Sequence, residues 1–325
     1  MNGLTDRRGF LAQSARLAAG VGAAAVSCRW AAAAETVPGL SFACRDDHVR
    51  LVDKKNSWEW LAEIGANAVE VTIRDDLSLP WLLHPDRKYS AATDDGIEAL
   101  AADLKAAGKR ISAFCMYNHF EDRPAFEVEC GTRVARAAKA LGVKAVRIDV
   151  VPHKLSADAF LELAVKTLAS LIEATEGTGV AFAIENHGKT TNDPAFLKPL
   201  LDRVGSKRLG VTLDTGNFYW FGHPLSRVYE LYEMFAPSVR HTHCKSIRFP
   251  ETEREKRRPM GWEYSKYNCP LYEGDIDFRR VLKILRAAGY SNDLCIEDES
   301  LGRFPAAERD AVLAKEIRYL KDCLG

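Results

Sequence analysis

The sequence predicts an α/β protein folded as a single-domain (β/α)8 TIM barrel, and three observations carry that prediction. Short runs rich in Val, Ile and Phe alternate with longer stretches of helical period to the C-terminus. Eight such pairs fill about 290 residues, close to the roughly 250 residues typical of this barrel. The main rival, a doubly wound open sheet, calls for a glycine-rich phosphate loop after an early strand, and no GxGxxG or GxxxxGK[ST] occurs.

The strands are predicted over Leu40–Arg45, Ala68–Arg74, Arg110–Tyr117, Ala145–Val151, Val180–Asn186, Leu209–Asp214, Val239–Lys245 and Asp293–Asp298. Helices are predicted over Trp58–Ile64, Asp94–Ala107, Ala125–Leu141, Ala157–Glu176, Pro194–Val204, Leu225–Phe235, Phe278–Ala288 and Ala306–Leu324. Gly65, Gly108, Gly142, Gly179 and Gly289 each follow a helical stretch shortly before a strand, the usual C-terminal stop. No internal linker of low complexity divides the chain, so residues 35–325 read as one domain.

Residues 1–34 read differently. Thr5-Asp6-Arg7-Arg8-Gly9-Phe10-Leu11 resembles a twin-arginine export motif, followed by an Ala/Gly-rich run from Leu17 to Val26 and small residues at Ala31–Ala34. The expectation is a signal peptide recognised by the twin-arginine export machinery. It places the mature chain, from near Glu35, in the periplasm or outside the cell. The apolar run is about half of the ~20 residues that span a bilayer, so no stable membrane anchor is expected.

Composition narrows the partners. Lys+Arg and Asp+Glu both total 45 among 325 residues, and without the first 34 residues the acids exceed the bases by three. With no basic surplus, a nucleic-acid partner is not expected. Beyond Cys28 seven cysteines remain, an odd number with no CxxC pair, so neither a disulfide framework nor a zinc finger is predicted. A homo-oligomer is compatible with the chain.

In such a barrel, functional groups gather where strands run into the following loops. The fifth strand ends in Ile184-Glu185-Asn186-His187-Gly188, the sixth in Leu213-Asp214-Thr215-Gly216-Asn217. The seventh ends in His241-Thr242-His243-Cys244-Lys245, the eighth in Ile296-Glu297-Asp298-Glu299. A carboxylate inside an apolar strand is costly unless it is paired or bound to a cation. Three of them and a histidine at the same end of successive strands form a donor set for one divalent ion. Mn²⁺ is favoured, with Zn²⁺, Co²⁺ or Mg²⁺ as alternatives. Because residues two apart share a strand face, alternation does not choose between His241 and His243.

Together with YEGDIDF at Tyr272–Phe278, the set IENHG, LDTGN, HTHCK and IEDE resembles the xylose isomerase-like barrels of sugar (phosphate) isomerases and epimerases. The resemblance implies Glu185, Asp214, His243 and Glu297 as metal ligands. It further implies Glu185 and Glu297 as the catalytic acid/base pair, flanking a carbohydrate whose enediolate the metal stabilises. Where related ketose epimerases of the tagatose or psicose type often carry His, this chain has Asn217. The apurinic endonuclease branch needs further histidines at these strand ends. Return of the proton to the other face, return to the neighbouring carbon, or loss of a β-substituent would give epimerisation, isomerisation or elimination. A 3-keto-glycoside lyase or hydratase is therefore the second reading, and a non-catalytic sugar-binding barrel a weaker third.

Four further residues are candidate substrate contacts: His119 at the end of the third strand, His187, Asn217 and Lys245. Glu70 and Asp149 are read as members of polar barrel layers. The stretch Ser246–Asp275 is too long for an ordinary βα loop. Its charge run Glu251–Arg258 is expected to be a solvated surface, and the aromatic-rich part, Met260–Tyr272, to form a lid.

Overall fold

A computed structural model describes residues 40–325; the twin-arginine segment lies outside the described residues. Eight parallel strands form a nearly closed barrel: β1 (Ser41–Arg45), β2 (Ala68–Thr72), β3 (Arg110–Cys115), β4 (Ala145–Ile148), β5 (Ala181–Glu185), β6 (Leu209–Asp214), β7 (Val239–His243) and β8 (Asp293–Ile296). Eight main helices follow the strands: α1 (Ser57–Glu63), α2 (Asp94–Ala107), α3 (Pro124–Ala140), α4 (Ala157–Ala174), α5 (Pro194–Val204), α6 (Leu225–Phe235), α7 (Phe278–Ala287) and α8 (Ala306–Cys323). Every predicted strand and helix is present, most trimmed at one end.

The helices start where side-chain caps allow. Asn56, Thr93, Ser156, Asp193 and Asp277 each accept a hydrogen bond from a backbone N–H of the first turn of α1, α2, α4, α5 and α7. Helix α2 stops at Gly108, whose φ of 61° is left-handed and cheap only for glycine.

Strand alternation then sorts the barrel interior. On β1, Phe42 and Cys44 join the large core shared with the helices, whereas Ala43 packs with Ala68 and Cys295 in a small cluster of its own. One step further along the same face come Arg45 and Glu70, paired in register. Small residues below and charged residues above repeat on β4 (Ala145, Arg147), β5 (Ala183, Glu185) and β6 (Thr212, Asp214). A polar layer thus sits at the C-terminal mouth, on a narrow floor.

The seam between β7 and β8 is closed largely by Cys244, whose N–H donates to Cys295 O at 2.6 Å and whose carbonyl accepts from Glu297 N at 3.1 Å. Below it the Thr242 hydroxyl bridges the strands, accepting from Cys295 N at 3.2 Å and donating to Asp293 O at 3.0 Å. Thr242→Val keeps the shape but strands the buried Cys295 N–H, so it is expected to cost about 1–3 kcal/mol in urea unfolding. A loss below a few tenths would show that the hydroxyl does not close the seam.

The segment after β7 is built rather than open. A two-stranded ribbon pairs Ser246–Ile247 with Asn268–Cys269, and short helices occupy Glu251–Arg254 and Tyr264–Tyr267. The expected solvated charge run holds for the short helix but fails at Arg258, which is buried. Its guanidinium lies over the Tyr219 and Phe249 rings, 4.6 Å and 4.3 Å from their centroids, and donates to His223 O at 3.0 Å. Loop carbonyls and aromatic faces satisfy that cation, and none of them is visible in a local run of charges. A second unpredicted feature is the hairpin Ser78–His84/Arg87–Ser90 between β2 and α2.

Candidate metal centre and active site

Glu185, Asp214 and His243 are the last residues of β5, β6 and β7, and Glu297 directly follows β8. All four are buried, and one potential ligand atom from each lies within 4.8 Å of the others. The four predicted ligands therefore meet in one place.

The donors are prepared unequally. Asp214 Oδ1 accepts the backbone N–H groups of Gly216 and Asn217, both at 2.8 Å, which leaves Oδ2 facing the cluster. Neither Asp214 Oδ2 nor Glu297 Oε2 has a hydrogen-bond partner among the described residues, though both are buried. The ammonium of Lys245 stands 3.0 Å and 3.1 Å from them. Two buried carboxylate oxygens without hydrogen bonds, beside a third carboxylate and an imidazole nitrogen, fit one divalent cation.

The choice between the two histidines, open in the sequence, is decided by their neighbours. His243 Nδ1 lies 3.4 Å from Glu185 Oε1 and 3.2 Å from Glu297 Oε2, while its Nε2 lies 2.9 Å from Glu70 Oε2. A proton on Nε2, donated to Glu70, leaves the Nδ1 lone pair for a metal. His241 sits one layer below, with Nδ1 2.9 Å from Asp293 Oδ2 and Nε2 3.4 Å from Glu70 Oε1.

Glu70 thus does more than fill a polar layer, because it fixes the ring orientation of His243, a candidate ligand. Glu70→Gln keeps the size but weakens the acceptor, and is expected to lower metal affinity by about 10- to 100-fold. A chelator competition titration reads the change directly, and an unaltered constant would mean that His243 is held by packing alone.

Two arginines that sequence reasoning passed over complete the electrostatics. Arg147 Nε donates to Glu185 Oε2 at 2.7 Å, its Nη2 donates to the same oxygen, and its Nη1 donates to Met116 O at 2.9 Å. Arg45 Nη1 donates to Glu297 Oε1, and its Nη2 donates to Tyr117 Oη at 3.0 Å. Burial alone would push both carboxyls up. Arg147 and His243 instead hold Glu185 below the usual carboxylate range, and Lys245, His243 and Arg45 do the same for Glu297. For Asp214, burial and the like charges of Glu297 and Glu185 outweigh Lys245, His243 and the two backbone N–H groups, and its carboxyl is pushed up to about 8. The signal for these arginines was present: a charge within Phe-Ala-Cys-Arg45 or Val-Arg147-Ile is as costly as the strand-end carboxylates.

A cavity of about 390 Å³ opens over the cluster, lined among others by Arg45, Arg147, Trp220 and Tyr264. Of the predicted substrate contacts, Asn217, His187 and Lys245 line it. Asn217 Nδ2 donates to Glu185 Oε1 at 3.1 Å, and His187 Nδ1 lies 3.1 Å from Asp149 Oδ1. Lys245 Nζ also donates to Glu299 Oε1 at 2.7 Å. Its stem passes Gly216 so closely that a Cβ there would lie 3.0 Å from Lys245 Cγ. His119 is elsewhere, lining a neighbouring cavity. From the expected lid only Tyr264 lines the cavity over the cluster, its hydroxyl donating to Glu299 Oε2 at 2.6 Å, while Trp262 packs on Phe249 and Tyr267.

A family profile described as the xylose isomerase-like TIM barrel matches residues 58–323. The chain belongs to that family. It is 25% identical over 167 residues to the inosose dehydratase of Serratia proteamaculans, an alignment covering 48% of this chain and 52% of that protein. The chain thus spans about half the length of the curated relatives it matches. Among solved structures, the IOLI protein with a zinc atom superposes with a TM-score of 0.64 at 18% identity, over 87% of this chain and 98% of its own. An L-ribulose 3-epimerase superposes with a TM-score of 0.58 at 17% identity, over 88% and 96%. At such identities the structural likeness shows a shared fold. No helix among the described residues is long and apolar enough to cross a membrane.

Proposed function

We propose that this xylose isomerase-like barrel is a divalent-metal-dependent enzyme that moves a proton on a carbon next to a sugar carbonyl. The outcome is isomerisation or epimerisation. One observation carries the reading: Glu185 and Glu297, from non-adjacent strands, line one cavity and share the buried donor set with Asp214 and His243. These four residues would hold the ion, which when bound supplies Lewis-acid polarisation of the carbonyl oxygen. Mn²⁺ is the favoured ion, and zinc and magnesium are each found with a protein of the same fold.

The chain's own groups do the rest. One glutamate, held ionised by its arginine, takes the proton from the acidic carbon, and the other, protonated beforehand from solvent, returns one; proton exchange with solvent then resets the pair. Lys245 stands beside Glu297 and Asp214, placed to meet negative charge as it develops on a substrate oxygen. Trp220 and Tyr264 narrow the mouth and limit water.

Elimination is the second reading, and the observation that favours it is the similarity to an inosose dehydratase. Asn217 points the same way, since it stands where many ketose epimerases carry histidine. Export by the twin-arginine route belongs to the proposal as well, on the strength of the Arg7-Arg8 motif. It favours a non-phosphorylated sugar. The test is solvent deuterium incorporation by the Mn²⁺-loaded protein across ketoses, inososes and 3-keto-glycosides. Exchange into one carbon of one class is expected, with or without loss of a substituent. No exchange into any probe would remove the proposal.

A further inference from the structure

A second cavity, of about 470 Å³, adjoins the catalytic one. Each is large enough by itself for a small ligand, against roughly 300–1,000 Å³ for typical ligand sites. Tyr117 lines both. It follows the end of β3 and keeps 46% of its surface exposed, which is unusual for a ring so close to a buried charged cluster. The ring is not loose: its hydroxyl accepts from Arg45, and the Arg147 guanidinium lies 5.7 Å from its centroid. The two arginines that clamp the catalytic glutamates therefore also fix the wall between the cavities.

The polar groups of the second cavity divide into two kinds. Arg123 is committed to structure, since it forks onto both oxygens of Asp75 and donates to Glu127 Oε1 at 2.7 Å. The Arg74 guanidinium and the His119 ring nitrogens make no hydrogen bond among the described residues. Both are exposed and both line the cavity. A held aromatic face beside uncommitted donors suits a sugar ring, which offers C–H groups on one face and hydroxyls around its edge.

We propose that this second cavity is a subsite for a second ring, so that the chain acts on a glycoside or disaccharide whose reacting ring occupies the catalytic cavity. Tyr117 stands between the two rings, and Arg74 and His119 bind hydroxyls of the distal one. His119, a candidate substrate contact in the sequence, then contacts the substrate away from the reacting carbon. This inference rests on the carbohydrate reading of the metal centre, and the experiment separates the two.

Solvent deuterium exchange is measured with the Mn²⁺-loaded protein on single-ring probes (3-ketoglucose and inosose) and two-ring probes (3-ketocellobiose, 3-ketotrehalose and 3-ketosucrose). At least one two-ring probe is expected to exceed the single-ring probes in kcat/KM by about tenfold, the effect of one stacked ring or one or two hydrogen bonds. In Arg74→Met and His119→Ala, the two-ring to single-ring ratio is expected to fall several-fold. Taken within one variant, that ratio cancels losses of folding or metal. Equal or better turnover of single-ring probes overturns the subsite and leaves the proposed chemistry standing, as does a ratio unmoved by both substitutions. Exchange into none of the probes removes the carbohydrate reading and the subsite with it.

Discussion

Glu185→Gln and Glu297→Gln are each expected to lower proton exchange and turnover by about 10²- to 10⁴-fold while leaving the barrel folded. The amide keeps the volume and one acceptor oxygen but neither takes nor returns a proton. The two variants should differ in a second respect. Glu185 Oε2 accepts two hydrogen bonds from Arg147, so Glu185→Gln also disturbs a buried charge pair. Glu297 accepts one hydrogen bond from Arg45, on Oε1, and its Oε2 lies 3.1 Å from the Lys245 ammonium without a hydrogen bond, so Glu297→Gln disturbs a different set of cations. Metal content of each purified variant, measured beside its exchange rate, separates loss of the ion from loss of the acid/base group. Full activity in either variant with metal retained would end the two-carboxylate scheme.

Arg147→Met should produce the largest change in stability. Arg147 is buried, and its removal leaves the Glu185 carboxylate in the barrel interior without its nearest counter-charge. Breaking a buried pair from one side costs about 3–5 kcal/mol. A divalent ion held by Glu185, Asp214, His243 and Glu297 would replace much of that counter-charge, and its binding stabilises only the folded state. Urea unfolding with and without saturating Mn²⁺ should therefore show a large loss without metal and a markedly smaller one with it. Equal losses in both conditions would mean that Arg147 acts through packing rather than charge.

Much of the site was legible because carboxylates in apolar strands are conspicuous. Glu185 and Asp214 close runs of Phe, Ala, Ile, Val and Leu, and their spacing of one βα unit placed them on neighbouring strands at the same end. Arg45, Arg147 and Glu70 carry the same anomaly. They were passed over or given a lesser role because a single strand does not reveal what faces it across the barrel. Glu70 meets His243 from β2 to β7, 173 residues apart in the chain. Arg258 shows the opposite error: within a run of charges it looks solvated, yet the Phe249 ring and carbonyls of its own segment, together with the Tyr219 ring and the His223 carbonyl, enclose it.

The sequence by itself determined the eight βα units, their order and the three carboxylates gathered at the mouth, Glu185, Asp214 and Glu297, with a histidine from the seventh strand. Those depend on local period, caps and the cost of a charge in an apolar strand, all of which act within a few residues. Only the tertiary structure decided that His243 rather than His241 faces Glu185 and Glu297, that each of these glutamates has its own arginine, and that His119 belongs to a neighbouring cavity. The physical reason is closure of the barrel. Alternation fixes which face a side chain takes, whereas its height in the barrel and the partner across the interior are set by strand register and by the seam at Thr242 and Cys244.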